Sequence, residues 1–172
     1  QKLRQQIELL KVPTLVELIE EEYEQDNSIA VFVNYTETLE SLVEILMKKK
    51  LMHQPCTIYG KNKKGESEHN RLRFENNQER VIVCNVAASR EGIDLHDKYH
   101  EHQRVSLIVP DDNAENLKQV LGRIDRAGGT DSIQKIVYCA DTIEEKVYNN
   151  VKEKLKNIDT ITDGDLDVES LI

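Results

Sequence analysis

The chain has no tryptophan, and aromatic residues make up only 5% of its 172 positions. Tyr23, Tyr99, Tyr138 and Tyr148 are scattered, so no platform for stacked bases is visible; core packing is the default role for such rings. No apolar run approaches the roughly 18 residues that a membrane helix requires. A membrane partner is therefore not expected. No secretory signal is visible, and the chain starts at Gln1 rather than Met, which reads as a fragment or a processed product. Cysteine is scarce and odd in number: Cys56, Cys84 and Cys139 lie far apart in apolar, strand-like runs. That argues against a disulfide framework and for inert thiols in a reducing, intracellular compartment. Internal repeats and low-complexity segments are missing too. None of the seven glycines starts G-x-x-x-x-G-K-[ST], and no acidic pair after a strand resembles a magnesium-holding box.

The net charge of -9 does not look like that of a nucleic-acid binder. The charge is unevenly spread, however. Glu17 to Asp26 holds six acids and no base, and Asp159 to Ile172 holds five acids and no base. Without those eleven charges about +2 remains, so a local basic surface is compatible with the rest of the chain.

Apolar runs and amphipathic stretches alternate. Leu3 to Leu10 and Thr14 to Glu24 have helical spacing, with Thr14 and Glu17 as a capping box. Ser28–Val33, Cys56–Tyr59, Arg80–Asn85, Arg104–Val109 and Gln134–Cys139 read as strands. Between and after them, Thr38–Lys49, Glu66–Glu75, Asn113–Arg126 and Asp141–Lys156 read as helices, capped at Asn113 and at Asp141 with Glu144. Short apolar strands alternating with helices give an α/β fold: a mostly parallel sheet of five or six strands, covered by helices on both faces. Ligands gather at the carboxyl ends of such strands. Here those ends are polar: NYTET, YGKNKKG, NVAASREGIDLHD, PDDN and CADT.

One stretch among them is unusual, QVLGRIDRAGG at 119–129. On a helix, Gln119, Arg123 and Arg126 fall within an arc of about 60°. Gly122 removes a side chain beside them, and Gly128 and Gly129 end the helix where left-handed backbone is cheap. Two planar cations on one face suit a phosphate on which charge develops. Taken alone, the pair reads more simply as a solvated face bridged to Glu115, Asp125 or Asp131. The segment upstream changes that balance. In VIVCNVAASREGIDLHD an apolar strand runs into small residues that leave backbone groups open, followed by Gly92 and Asp94.

These motifs together resemble the second, C-terminal RecA-like lobe of superfamily 2 helicases and translocases. Q-x-x-G-R-x-x-R, here Gln119, Gly122, Arg123 and Arg126, is similar to that group's arginine-finger motif. REGID resembles the preceding motif, and VFVNYTETLESLVEIL resembles the motif that opens the lobe. IYG, RLRF and RVIVCN follow in the family's order, so the likeness spans about Ala30 to Lys154. DTIEEKVYNNVKEKL and LLKVPTLVELIEEE look like the closing and lead-in segments of the Swi/Snf-type motor. Ser89 and Arg90 stand where that group's loop has two glycines, and Asp94 stands where it has Asn, which makes this a divergent Swi/Snf-like pattern.

The resemblance implies a RecA-like three-layer sandwich at 27–156, with lead-in helices at 1–26 belonging to a missing first lobe and an acidic, flexible tail at 157–172. It implies ATP and Mg2+ held mainly by that N-terminal lobe of the same polypeptide, and nucleic acid as partner, DNA in preference to RNA. Arg123 and Arg126 would be the catalytic arginines, with Gln119 orienting them or the attacking water. Gly92, Asp94 and Gly122 would sit at the nucleotide. Asn34, Tyr35, Ser89 and Arg90 would meet the phosphodiester backbone. Lys61, Lys63 and Lys64 could track the same backbone or simply be solvated. His96, His100 and His102 beside Asp97 and Glu101 have a zinc-like composition, but lack a second ligand cluster and read as a hydrated loop with no metal. The alternative function is a catalytically silent helicase-like scaffold; a Rossmann-type protein would need a G-x-G-x-x-G after the first strand.

Overall fold

The computed structural model describes residues 2–49, 54–89, 93–111, 113–121, 123 and 132–162, with the backbone alone at 114 and 154–162. Five strands form one sheet in the order β2-β3-β1-β4-β5, and every neighbouring pair is parallel. The strands are β1 (Ser28–Val33), β2 (Cys56–Ile58), β3 (Val81–Asn85), β4 (Arg104–Ile108) and β5 (Ile133–Ile136). Six helices accompany them: α1 (Lys2–Leu10), α2 (Val12–Glu24), α3 (Thr36–Lys49), α4 (Glu66–Glu75), α5 (Ala114–Leu121) and α6 (Ile143–Thr162).

Strand periodicity builds the layers. Ile29, Val31 and Val33 of β1, Val81 and Val83 of β3, and Val105 and Leu107 of β4 face one way. There they meet Val12, Leu15, Val16 and Ile19 of α2 and Leu39, Leu42 and Leu46 of α3. The alternate residues Ala30, Phe32, Ile82, Cys84 and Ile108 face the other way. They pack on Phe74 of α4, Leu117 and Val120 of α5, and Tyr148 and Val151 of α6. This is the three-layer α/β arrangement expected of the sequence. All six residues of β1 are buried, as a central strand covered on both faces demands.

Several local expectations shift. Thr14 does not cap α2; the helix starts at Val12, with Pro13 in its first turn, where a missing N–H costs nothing. Asn113 does cap α5, its Oδ1 accepting the Glu115 N–H at 2.9 Å. At α6 the cap falls one residue later than expected. Thr142 Oγ1 accepts the Glu144 N–H at 3.2 Å, and Glu145 rather than Glu144 reaches back to the Asp141 N–H at 2.8 Å. Helix α6 also continues to Thr162, beyond the expected end at Lys156. Gly65, at φ 82°, turns the chain into α4 through left-handed backbone.

The His-rich segment is not simply a hydrated loop. Ile93, Leu95 and Asp97 are buried in strict alternation with half-buried Asp94 and His96; only 98–101 are exposed. Asp97 meets a buried cation there: Arg104, 1% exposed, lies over the Phe74 ring at 4.5 Å with Asp97 Oδ1 at 4.0 Å.

The opening and closing helices are pinned by a buried ion pair. Lys11 Nζ lies 2.6 Å from Glu144 Oε1, and the other Glu144 oxygen accepts the Cys139 N–H at 3.0 Å. Removing one partner of such a pair strands a charge in the interior, which costs about 3–5 kcal/mol. Lys11→Met should therefore lose about that much in urea unfolding, and Lys11→Met with Glu144→Gln should regain part of it. Equal losses in both would show that the pair is not coupled.

Candidate functional site

Because all strands run parallel, their carboxyl ends share one edge. The helix leaving β1 packs on one face, whereas the segments leaving β3 and β4 pack on the other. Chain connections therefore diverge at the end of β1, the position where open parallel sheets form a ligand crevice. Asn34 and Tyr35 lie there, as the sequence predicted.

Around them is a dense set of polar contacts. Asn85 Nδ2, at the end of β3, donates to the Asn34 carbonyl at 3.1 Å. Asn34 Nδ2 reaches the Val109 and Pro110 carbonyls beyond β4, each at 3.4 Å. The largest contribution comes from an unanticipated residue, Glu8 of α1. Its carboxylate accepts from the Asn34 N–H at 3.1 Å, the Tyr35 N–H at 3.0 Å and Asn34 Nδ2 at 2.9 Å. Beside it is a cavity of about 40 Å³ lined by Arg4, Tyr35, Pro110 and Asp111, among others. The signal for Glu8 was present in the sequence. Glu8, Val12, Leu15 and Ile19 follow helical spacing, so an acid sits on the buried stripe.

The second group of predicted residues is joined by Arg123. The Leu95 N–H donates to the Arg123 carbonyl at 3.0 Å, and Arg123 Nη1 donates to the Ile93 carbonyl at 3.4 Å. Main chain and side chain thus bracket the segment that carries Asp94, whose carboxylate lies 2.5 Å from His96 Nδ1. The shared helical face expected for Gln119 and Arg123 is not formed. Helix α5 ends at Leu121, and the Arg123 N–H turns back to the Val120 carbonyl at 3.0 Å. Gln119 is exposed, whereas Arg123 is 8% exposed. Gly92, Arg90, Gly122 and Arg126 lie outside the described residues.

The remaining candidates separate. Ser89 is buried, and its hydroxyl donates to the Asn85 carbonyl at 2.9 Å, closing its own turn. Lys61, Lys63 and Lys64 are exposed, with Lys61 Nζ 2.7 Å from Glu40. Among the described residues no group of three or more His, Cys, Asp or Glu is placed to hold a metal.

Burial sets the ionisation behaviour. It pushes the Cys56 thiol up to about 11 and raises Cys84 as well, so neither is a thiolate nucleophile near neutrality. Burial also raises Glu8, against the opposing hydrogen bonds from Asn34 and Tyr35. Tyr35 is raised, first by burial and then by the Glu8 charge. The edge therefore carries hydrogen-bond donors and guanidinium groups beside the carboxylates of Glu8, Asp94 and Asp111, with no activated thiol among the described residues.

A carboxyl group whose folded pKa lies above its unfolded value binds more protons when folded, so it favours folding as pH falls between those values. The stability of the wild type relative to Glu8→Gln should accordingly rise on acidification from neutrality toward pH ~4.5. Thermal unfolding of both across that range tests this; a constant difference would show that Glu8 does not titrate in the window.

Comparison with known proteins agrees with this architecture. The helicase conserved C-terminal domain family matches residues 10–128. A protein of Acanthamoeba polyphaga mimivirus, provisionally named an ATP-dependent RNA helicase, is 37% identical over 169 residues. That match takes in 97% of this chain but 30% of the relative's length. Among solved structures, the C-terminal part of the Fun30 ATPase domain superposes with a TM-score of 0.67 at 18% identity, covering 82% of this chain and 44% of that one. The E. coli DEAD-box protein SrmB, solved with the regulator of ribonuclease activity A, gives 0.66 at 18% identity, covering 94% and 83%. The Pyrococcus furiosus Hef helicase domain gives 0.60 at 23% identity, covering 83% and 28%. With the family match spanning most of the chain, this protein belongs to the helicase conserved C-terminal domain family.

Proposed function

We propose that the chain is the second motor lobe of an ATP-driven helicase or translocase that moves along nucleic acid. Its partner is an N-terminal lobe of the same polypeptide, which holds ATP and Mg2+. Arg123 and Arg126 act on the γ-phosphate across the cleft, where they offset the charge that develops during phosphoryl transfer. Gln119, exposed on α5, orients them or the attacking water. Asp94, with Gly92 and Gly122, senses the nucleotide.

The observation that carries this reading is the joint between Arg123 and the 93–95 segment. A change at either segment is transmitted to the other through one main-chain and one side-chain hydrogen bond, which is what coupling nucleotide state to lobe closure requires. Arg123 then has two duties, holding the segment and facing the γ-phosphate. On the nucleic-acid side, Asn34, Tyr35 and Arg90 meet the phosphodiester backbone. Ser89, whose hydroxyl and N–H both donate to the Asn85 carbonyl, contributes by fixing the turn that precedes Arg90. Lys61, Lys63 and Lys64 add positive charge nearby. Such contacts are largely blind to sequence.

The Fun30 likeness supports a Swi/Snf-like motor. The preference for DNA has less support, because the mimivirus relative is named an RNA helicase. Both polymers belong in the test, which is ATP turnover by the full-length protein alone and with single-stranded DNA, duplex DNA and RNA. Stimulation by a polymer is expected. Arg126→Ala should lower kcat by roughly 10³–10⁵-fold with little change in Tm. Arg123→Ala should lower both kcat and Tm, because it also removes a buried tie. No turnover with any polymer would overturn the motor reading in favour of a silent scaffold.

A further inference from the structure

Helix α1 is an unusual helix for its position. Among its described side chains the one fully buried is an acid, Glu8. Leu3 and Leu10 are 62% and 77% exposed, and Ile7 and Leu9 are only half-buried and belong to neither core cluster, so its apolar residues anchor it weakly. It also has a polar tie to α3, where Gln5 Nε2 donates to Glu37 Oε2 at 2.5 Å. The helix is thus held mainly by what Glu8 binds.

What Glu8 binds does not depend on α1 in return. The main chain at Asn34 is tied to Asn85 at 3.1 Å, and its side chain to the carbonyls beyond β4. Three N–H donors therefore converge from a frame built by β1, β3 and β4. They enclose one carboxylate at 2.9 to 3.2 Å. A tetrahedral phosphate presents the same feature, two or three anionic oxygens that accept charge-assisted hydrogen bonds.

We infer that Glu8 is a built-in competitor for the nucleic-acid backbone: its carboxylate fills the donors of Asn34 and Tyr35, and α1 must lift before a phosphodiester takes its place. This rests on the reading that Asn34 and Tyr35 meet that backbone. The exchange leaves no buried donor orphaned in either state, since one anion replaces the other. It removes little apolar contact, because α1 buries little. It also releases the burial cost borne by the Glu8 charge. Binding by this lobe would then be held in check until a polymer of sufficient local phosphate density displaces the helix.

The experiment uses the full-length protein with fluorescently labelled single-stranded RNA and DNA oligonucleotides, comparing wild type with Glu8→Gln at equal ionic strength. Glutamine keeps the shape and removes the charge. Binding about tenfold tighter than wild type is expected, the size of one charge-assisted hydrogen bond removed from the competing state. Unchanged or weaker binding by Glu8→Gln, with wild type binding normally, would overturn the inference alone and leave Glu8 as a structural tie between α1 and the end of β1. Failure of both proteins to bind either polymer would overturn the underlying reading as well. Hydrogen exchange on the wild type guards against a variant that folds poorly. On adding oligonucleotide, the amides of α1 should lose protection while those of Asn34 and Tyr35 stay protected. Unchanged protection across α1 would refute the displacement.

Discussion

Parallel pairing about β1 is the constraint on which the other features depend. A strand buried on both faces must be apolar along its whole length and paired on both edges, and β1 meets both conditions. Parallel pairing then puts every carboxyl end at one edge. The right-handed crossover rule decides which face each following segment takes. Moving from β1 toward β2 puts α3 on one face; moving from β2 to β3, β3 to β4 and β4 to β5 puts the later segments on the other. The divergence at Asn34 is a geometric consequence of that path.

Buried charge is distributed to match. Lys11 with Glu144 joins the start of α2 to the start of α6 near the carboxyl edge. Arg104 sits at the amino end of β4 over Phe74, where it is covered by the segment that carries Asp97. Glu8 differs from these, because its hydrogen-bond partners are neutral donors at a strand end, and the Lys11 charge acts on it less than they do. A charge held mainly by dipoles can exchange with another anion more readily than a charge in a direct ion pair. That difference separates the scaffold from the part of the edge suited to binding.

Much of this was legible beforehand because it is local. Short apolar runs and helical spacing marked the strands and helices of the described residues, and Glu66–Glu75 came out with the expected bounds. Leu39, Leu42 and Leu46 turned inward as their spacing required. The cap slipped from Asp141 to Thr142, because either residue can supply an oxygen and only the backbone path selects between them, whereas Thr14 cannot cap α2 because the helix has already begun at Val12. The arginine segment failed in a more instructive way. Regular helix geometry would put Gln119 and Arg123 side by side, but α5 ends at Leu121 and Arg123 turns to the Ile93 carbonyl. A tertiary partner more than two dozen positions away overrode the local period.

The sequence by itself determined the alternating α/β pattern, the polar character of the strand ends and the order of the motifs, because each is written in neighbouring residues. Only the tertiary structure decided that Glu8 faces the end of β1, that Ser89 closes its own turn and that Arg123 brackets the 93–95 segment. Each of those outcomes depends on which strands become neighbours. A buried polar group takes whatever partner the assembled sheet brings within reach, and no periodicity records that choice.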